Sequence, residues 1–171
     1  MIPISSTSRG LVWLRMPFCH GWELKRGTDV VGSLQRTRVW SSEFRAKTEY
    51  GSWIFRRPGY FRCGTEILDA SSTPIANLER GWTGFGGTLS FFDGQKFQII
   101  RRGCWRPRWT VFSGNHQVVF SIDAHEKTVS LAPETSLSDD RLMLVVILAW
   151  HIIRQTSEDD GAVAAIVAAI A

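Results

Sequence analysis

Cysteine is scarce in this chain. Cys19, Cys63 and Cys104 are widely spaced and form no C-x-x-C pattern. A disulfide framework needs an even set of cysteines and a zinc site needs closely spaced ligands, so the sequence predicts neither. We expect a reducing compartment. Because no basic segment at the N-terminus leads into an apolar run, no secretory signal is predicted and the expected location is cytoplasmic.

The chain also lacks an apolar run long enough to cross a bilayer. Its longest such segment, residues 142–153, contains His151 as the one polar member. Twelve helical residues cover about 18 Å, whereas a bilayer needs about 20 apolar residues. No stable transmembrane insertion is expected. Since the segment is apolar on all sides, it predicts a helix buried within other elements.

A catalytic arrangement is also missing from the sequence. The glycine-rich stretch 81–87 has neither P-loop nor dinucleotide spacing and favours a flexible strand connection. Asp123, His125 and Glu126 lie in one predicted turn, where three such side chains are more often solvated than bound to a metal. We therefore predict a non-enzymatic protein without a metal or a cofactor.

The buried helix has clear signals at both ends. Ser138 is a good N-cap, and Asp139 and Asp140 suit the positive end of the helix dipole. Arg154 suits the negative end. These signals predict a central helix over residues 139–154. His151 then faces the core, where its imidazole must find a partner.

Short β-type segments separated by turn signals fill residues 11–131. Predicted hairpins pair residues 22–25 with 30–34, 53–55 with 60–63, 66–68 with 75–78, 89–92 with 96–100, and 109–112 with 118–122, and a strand follows at 128–131. Ten or more antiparallel strands indicate a mainly β barrel or sandwich, and the apolar helix fits inside a barrel. Several strands end on similar triplets, such as L-Q-R at 34–36 and L-E-R at 78–80, which is typical of an up-and-down meander.

Five strand segments and the helix carry a family resemblance. They are W-E-L with V-V-G-S-L at 22–34, K-F-Q-I-I at 96–100, W-T-V-F at 109–112, V-V-F-S-I at 118–122, and the helix as far as Ile153. In this order they resemble the tubby-like superfamily, in particular the LURP-one-related proteins and the phospholipid scramblases. The resemblance covers residues 11–155. It implies a closed antiparallel barrel of about twelve strands wrapped around a central hydrophobic C-terminal helix.

The chain departs from these relatives in three respects. His151 stands where relatives often have an acidic residue. Segment 133–138 contains one acid where scramblases have an acidic cluster proposed to bind calcium, and calcium needs several oxygen ligands. The cysteine-rich lipidation segment of scramblases is missing. A scramblase-type lipid-handling protein is therefore an alternative rather than the main hypothesis.

Segments outside the predicted barrel differ in composition. Residues 1–10 form a small, polar leader. Residues 156–171 contain an acidic bridge followed by the tail A-V-A-A-I-V-A-A-I-A at 162–171. The apolar residues of the tail recur at helical spacing, so we expect it to dock on the barrel as a short helix.

Positive charge is concentrated in the strand region. Residues 1–110 contain 17 Lys and Arg and 8 Asp and Glu, a net charge of +9, whereas residues 111–171 contain 3 and 8, a net charge of −5. Only four of the twenty cations are lysine. The planar guanidinium of arginine suits phosphate and carboxylate, and it also stacks on tryptophan. Arginine that merely covers aromatic surface is the structural alternative.

The candidate ligand site is a set of arginines interleaved with tryptophans. It comprises Arg56, Arg57, Arg101, Arg102, Trp105, Arg106, Arg108 and Trp109. Guanidinium groups bind phosphate while indoles lie at headgroup level, so this set predicts a site for an anionic headgroup or phosphate. A phosphoinositide-like headgroup is what the tubby-like resemblance implies, although no motif of this sequence matches the phosphoinositide site of that family. The same residue types suit single-stranded nucleic acid, whose bases stack on indoles. Pro107 and Gly103 interrupt the strand alternation, so the sequence does not determine which face of the sheet each of these residues occupies.

These observations predict a non-enzymatic barrel that binds an anionic phospholipid or a protein partner, peripherally at a membrane. Scramblase-type lipid handling and single-stranded nucleic-acid binding are the alternatives, and nucleic acid is the less favoured partner.

Overall fold

The chain folds into a closed barrel of antiparallel strands. A computed structural model of the protein describes residues 10–17, 19–38, 41–57, 64–81, 86–103, 105–133 and 137–170, with side chains described as far as Glu158. Within these residues the twelve strands are β1 (Leu11–Arg15), β2 (Gly21–Arg26), β3 (Asp29–Arg36), β4 (Phe44–Thr48), β5 (Gly51–Arg56), β6 (Gly64–Leu68), β7 (Pro74–Arg80), β8 (Gly86–Phe91), β9 (Lys96–Arg102), β10 (Arg108–Ser113), β11 (Val118–Asp123) and β12 (Thr128–Leu131). Each strand pairs with its neighbours in sequence, and β1 pairs with β12 to close the barrel. The predicted closed antiparallel barrel is confirmed.

Most predicted hairpins are present because their turn residues are explicit in the sequence. β2 pairs with β3, β6 with β7, β8 with β9, and β10 with β11. Strand β4 is not predicted by its sequence, F-R-A-K-T, since it has one β-branched residue. The segment 60–63, expected to pair with 53–55, lies outside the described residues, and β5 pairs with β6 through Ile54 and Leu68.

The meander gives the barrel two ends. Odd-numbered strands run toward one end and even-numbered strands toward the other, because every neighbouring pair is antiparallel. Helix α1 (Asp139–Ile170) begins beyond β12, at the end where the even-numbered strands finish, and runs through the lumen to the opposite end. We call these the helix-start end and the helix-exit end.

The central helix fills the lumen. Its predicted start is confirmed, since the Leu142 amide donates to the Ser138 carbonyl at 2.9 Å. Every side chain from Leu142 to Ile153 is buried, including His151. Burial of each large apolar side chain contributes about 1.5 to 3 kcal/mol. The helix is therefore the centre of the hydrophobic core.

Aromatic and small residues shape the space around the helix. The Trp13 ring stacks on the Trp150 ring with 5.2 Å between centroids and 6° between planes. Trp22 contacts Trp150 edge-on, also at 5.2 Å. On β3, a Cβ atom added to Gly32 would lie 3.3 Å from the Ile147 Cδ1 atom. This glycine lets the helix approach the barrel wall closely.

The predicted helix end at Arg154 is wrong. The helix continues to Ile170 through residues 155–161, which the sequence predicts as a polar bridge. Gln155 and Thr156 are buried rather than solvated. The tail 162–171 continues this helix as far as Ile170 instead of forming a separate helix. The side chains of the tail and residues 1–9 of the leader are not among the described parts of the chain. Across the described helical residues, no segment is long and apolar enough to cross a bilayer.

Part of the glycine-rich stretch belongs to the sheet rather than to a flexible connection. Gly86 and Gly87 begin β8, while Gly84 lies outside the described residues. A Cβ atom on Gly86 would collide with the Ile99 carbonyl oxygen of β9. Close approach of two backbones is therefore the reason for glycine at this position.

Candidate anion-binding end of the barrel

Arginine ends most of the strands that reach the helix-exit end. Five of the six odd-numbered strands finish on it, at Arg15, Arg36, Arg56, Arg80 and Arg102. Because all odd-numbered strands run in the same direction, these residues lie around one rim of the barrel. The topology thus gathers positive charge that is dispersed along the chain.

Strand alternation, extended one residue beyond β5, directs one arginine at the end of each of these five strands toward the lumen. We call them the arginine ring: Arg15, Arg36, Arg57, Arg80 and Arg101. Each follows by two residues a buried core side chain, namely Trp13, Leu34, Phe55, Leu78 and Ile99. Their separations along the sequence are 21, 21, 23 and 21 residues, which is one arginine for every two strands.

The strand register supports these orientations, since directly opposite residues share a face of the sheet. Arg36 is opposite Phe44, whose ring contacts the His151 ring at 4.5 Å between centroids. Arg101 is opposite Trp109, which is buried. Both arginines therefore lie on the lumen face.

Two ring arginines bind the polar turn of α1. Arg36 Nη2 donates to Glu158 Oε2 at 3.2 Å, and Arg80 Nη2 donates to Thr156 Oγ1 at 2.9 Å. The Thr156 hydroxyl in turn donates to the Ile152 carbonyl at 3.0 Å. These contacts explain why the helix continues through polar residues: the barrel wall supplies the donors that pair with them.

Polar atoms without a partner remain at this end. The Arg36 Nε, Arg154 Nε and Gln155 Oε1 atoms are buried and meet no hydrogen-bond partner among the described residues. The Arg154 guanidinium lies 4.9 Å from the centroid of the Trp22 ring. Several cations thus surround the helix here, and the Glu158 carboxylate is bonded to one of them, Arg36.

His151 lies where the apolar lumen meets the arginine ring. Its imidazole packs between the rings of Phe44 and Phe55 at centroid distances of 4.5 and 5.4 Å. Burial, together with the positive charges of Arg57, Arg80 and Arg36, lowers the pKa of His151 to about 3. The imidazole is neutral in the folded protein near neutral pH. The expected partner is not found, because the His151 Nδ1 atom is buried without a hydrogen-bond partner among the described residues.

The predicted site residues share the helix-exit end but not one surface. Arg57 and Arg101 face the lumen, whereas Arg56, Arg102 and Arg108 alternate to the outside. Four strand spacings, about 19 Å along the wall, separate β5 from β9. Arg57 and Arg101 are therefore in different sectors of the rim.

The outer arginines have partners of their own. Arg56 Nη2 contacts Glu66 Oε2 at 2.7 Å across β5 and β6. The Arg102 guanidinium lies 5.9 Å from the centroid of the Phe112 ring. Arg108 is opposite Asp123. The pKa of Asp123 is lowered, first by the Glu126 amide and further by the His125 amide and by Arg108.

Trp109 is a core residue, which corrects its assignment to the ligand site. It is 2% exposed and points into the lumen, because Pro107 and Gly103 lie in the β9–β10 turn and do not change the alternation within β10. Trp105 in that turn is 97% exposed. It is accompanied by Arg106, which is also exposed.

A polar groove beside the ring was not predicted. Its volume is about 580 Å³, and it lies at the β3–β4 connection. The lining consists of three arginines and four other polar residues: Arg36, Arg38, Arg45, Gln35, Thr37, Ser41 and Glu43. The signal in the sequence is the R-T-R triplet at 36–38, which continues β3 beyond its last core residue.

The helix-start end has the opposite charge. With the strand ends included, its described turns and the first turn of α1 contain six acids and four bases: Asp29, Glu49, Asp69, Asp93, Asp139 and Asp140, with Arg26, Lys47, Lys96 and Arg141. Arg141 Nη2 contacts Asp93 Oδ2 at 2.8 Å, and this contact is the main reason that the pKa of Asp93 is lowered. The excess of arginine thus lies at the helix-exit end, and acids outnumber bases at the helix-start end.

Metal ligands do not cluster in the described part of the chain, where no group of three His, Cys, Asp or Glu side chains could hold an ion. Asp123 Oδ1 accepts hydrogen bonds from the His125 and Glu126 amides, both at 2.9 Å, so it organises the turn in which it lies.

In comparisons with known proteins, no family model, curated protein or solved structure matches the chain.

Proposed function

We propose that the protein is a non-enzymatic, tubby-like barrel of the cytoplasm that binds anionic phospholipid peripherally, through its helix-exit end. The observation that carries this proposal is the set of five strands that finish on arginine at that end. A guanidinium binds phosphate in bidentate geometry. Each basic residue near an anionic leaflet contributes about 1 kcal/mol of attraction.

Trp105 supports the proposal from the same end. Its indole is almost fully exposed, between Arg102 and Arg106. Tryptophan is favoured at the level of lipid headgroups, where its apolar ring and its N–H both find suitable surroundings. An exposed indole flanked by guanidinium groups therefore suits a membrane surface.

Membrane binding is favoured over the nucleic-acid alternative by the position of Trp109. Single-stranded nucleic acid is held largely by bases that stack on exposed aromatic rings. Burial of Trp109 leaves Trp105 as the exposed tryptophan of the predicted set. Electrostatic attraction to phosphate remains, but half of the predicted stacking surface is lost.

Vesicle sedimentation tests the proposal. We expect the chain to bind vesicles rich in phosphatidylserine at low salt and to leave neutral vesicles unbound. Combining Arg102→Glu, Arg106→Glu and Arg108→Glu should abolish binding, because attraction becomes repulsion. These side chains are exposed, so the melting temperature should change by no more than a few degrees.

The control variant combines Arg26→Glu, Lys47→Glu and Lys96→Glu, which changes net charge equally but near the helix-start end. It should retain vesicle binding. Absence of wild-type binding at low salt would refute the lipid proposal, and equal loss in both variants would refute the assignment to one end. Preferential binding of a single-stranded oligonucleotide over anionic vesicles would favour the nucleic-acid alternative.

A further inference from the structure

A groove at the helix-start end lies between the start of β7, the end of β8 and the first turns of α1. Its volume is about 320 Å³, at the lower limit of small-ligand sites, about 300 to 1,000 Å³. We call it the helix-start groove. Besides buried core residues, its lining comprises Pro74, Ile75, Phe92, Asp93, Asp140 and Arg141. An apolar wall beside two carboxylates suits an aromatic side chain that is accompanied by a cation.

The helix-start groove has net negative charge. Its one guanidinium, that of Arg141, contacts Asp93 Oδ2 at 2.8 Å and lies 4.0 Å from the centroid of the Phe91 ring. Asp140 is exposed, and its pKa is lowered chiefly by a hydrogen bond from the Ser138 side chain. Two ionised carboxylates therefore face one guanidinium, so the groove can accept a further cation.

The β9–β10 tip, which we define as residues 105 and 106, has the complementary composition at the opposite end of the barrel. Trp105 is 97% exposed and Phe92 of the groove is 68% exposed, and they are the two most exposed large apolar side chains in the described part of the chain. Arg106 beside Trp105 is exposed as well. Tryptophan and arginine are the residue types that most often dominate the binding energy of an interface.

We infer that the helix-start groove binds the β9–β10 tip of a second copy of this chain. The Trp105 indole packs against Ile75 and Phe92, and the Arg106 guanidinium pairs with Asp140. Because the tip and the groove are at opposite ends of the barrel, one molecule cannot join them to each other. The contact is heterologous, and every added copy presents a new tip or a new groove, so copies assemble head to tail. This assembly goes beyond the proposed membrane function and does not depend on it.

Charge complementarity selects the second copy as the occupant. Arg102 and Arg108 flank the tip, whereas Asp69 lies in the turn before β7 and Asp139 precedes Asp140 on α1. Opposite charges at the edge of an interface favour the correct pairing of surfaces, and like charges disfavour the wrong one. Two helix-exit ends therefore repel each other, while unlike ends attract. A contact limited to one tip and one groove is small, so we expect it to be weak and concentration-dependent.

Analytical ultracentrifugation at low salt and without lipid tests the contact. The average mass of the wild type should rise with concentration. Trp105→Ser should weaken association roughly thirtyfold, the loss expected for a tryptophan anchor. Phe92→Ser with Asp93→Asn should weaken it similarly from the groove side. The hairpin turn is retained in this variant, because asparagine keeps the side-chain oxygen that accepts from the Gln95 amide at 3.0 Å and Asn-Gly is a favoured turn sequence.

The control variant combines Asp29→Asn with Val30→Ser. It removes one exposed acid and one exposed apolar side chain from the β2–β3 turn at the same end of the barrel. Since neither residue lines the groove, association should stay within about twofold of the wild type. Equal weakening in this control would overturn the assignment to the groove.

A mixture of the two interface variants distinguishes this contact from any other self-association. Trp105→Ser retains the groove, and the variant with Phe92→Ser and Asp93→Asn retains the tip. At concentrations where the wild type assembles, each variant alone should be monomeric, and the mixture should form dimers of one copy each without larger species. A mixture that stays monomeric, or a variant that assembles like the wild type, would overturn the contact.

A wild type that remains monomeric up to its solubility limit would also overturn the second copy as the occupant. If an Arg-Trp-Arg peptide then shifted the amide signals of Phe92 and Asp93, the groove would be assigned to a different protein chain with the same chemistry.

Discussion

The buried imidazole of His151 makes the stability of the fold depend on pH. Its pKa is lowered to about 3 in the folded protein, chiefly by burial. In the unfolded chain the pKa returns to about 6.5. The unfolded state therefore binds a proton below about pH 6.5 that the folded state does not bind until about pH 3. The stabilisation is complete above the unfolded pKa and is lost as the pH falls from about 6.5 toward about 3.

We predict that His151→Leu removes this pH dependence. Between about pH 7 and about pH 5, His151 should cost the wild type about 2 kcal/mol of unfolding free energy, because each pH unit below the unfolded pKa costs about 1.4 kcal/mol. Urea unfolding at the two pH values measures the difference. The exposed His125 provides the control, since His125→Gln should keep the wild-type slope. An unchanged slope in His151→Leu would contradict a neutral, buried imidazole.

Helix α1 is the element on which the barrel depends, because its side chains occupy the space between facing strands. Leu148 is fully buried at its centre. It belongs to the hydrophobic core cluster, and an unpaired charge in an apolar interior is strongly destabilising. A charged substitution at this position should therefore lower the free energy of unfolding more than an apolar substitution of different shape does.

Leu148→Asp should consequently leave the protein insoluble or molten, as seen by loss of near-UV circular dichroism and of a cooperative transition. Leu14→Asp is the matched control, because Leu14 on β1 is 44% exposed and should change stability by less than about 1 kcal/mol. A soluble Leu148→Asp variant that unfolds cooperatively would be incompatible with the central position of the helix.

The elements that can be predicted from the sequence are those with local signals. The start of α1 has a cap and two acids, and the β8–β9 hairpin has Asp93 followed by Gly94 at its turn. The helix end could not be predicted, because Gln155 and Thr156 look like solvated residues unless Arg80 is known to lie beside them. That contact spans 76 residues. Propensity alone therefore places the end too early.

On the scale of the molecule, charge is separated along the barrel axis. Arginine dominates the helix-exit end, and acids dominate the turns at the helix-start end. Such an arrangement orients the protein before contact with a charged surface, an effect that falls with ionic strength.

The arginine ring could not be predicted from the sequence, since its members are more than 20 residues apart and only the strand order brings them to one rim. The sequence does show similar triplets ending at Arg36 and Arg80, which lie four strands apart.

We predict end-on binding to anionic vesicles. With a paramagnetic lipid in the membrane, the amide signals of Arg38, Arg57 and Trp105 should broaden, whereas those of Asp69 and Asn115 should not, because the latter lie in turns at the far end. Rotational averaging would broaden both groups equally. Broadening confined to the far end would reverse the proposed orientation.

Closure of the barrel between its first and last strands has a consequence for biosynthesis. Leu11 pairs with Val129 and Val12 with Thr128, so the seam joins residues that leave the ribosome more than a hundred residues apart. The helix that fills the lumen is translated later still. Until then, the apolar faces of the twelve strands have nothing to pack against but each other, and such exposed surface is prone to aggregation. Because 11 of the 31 buried residues of the core cluster belong to this last element, the nascent chain cannot complete its core progressively from the N-terminus, and folding is expected to be slow for a protein of this length.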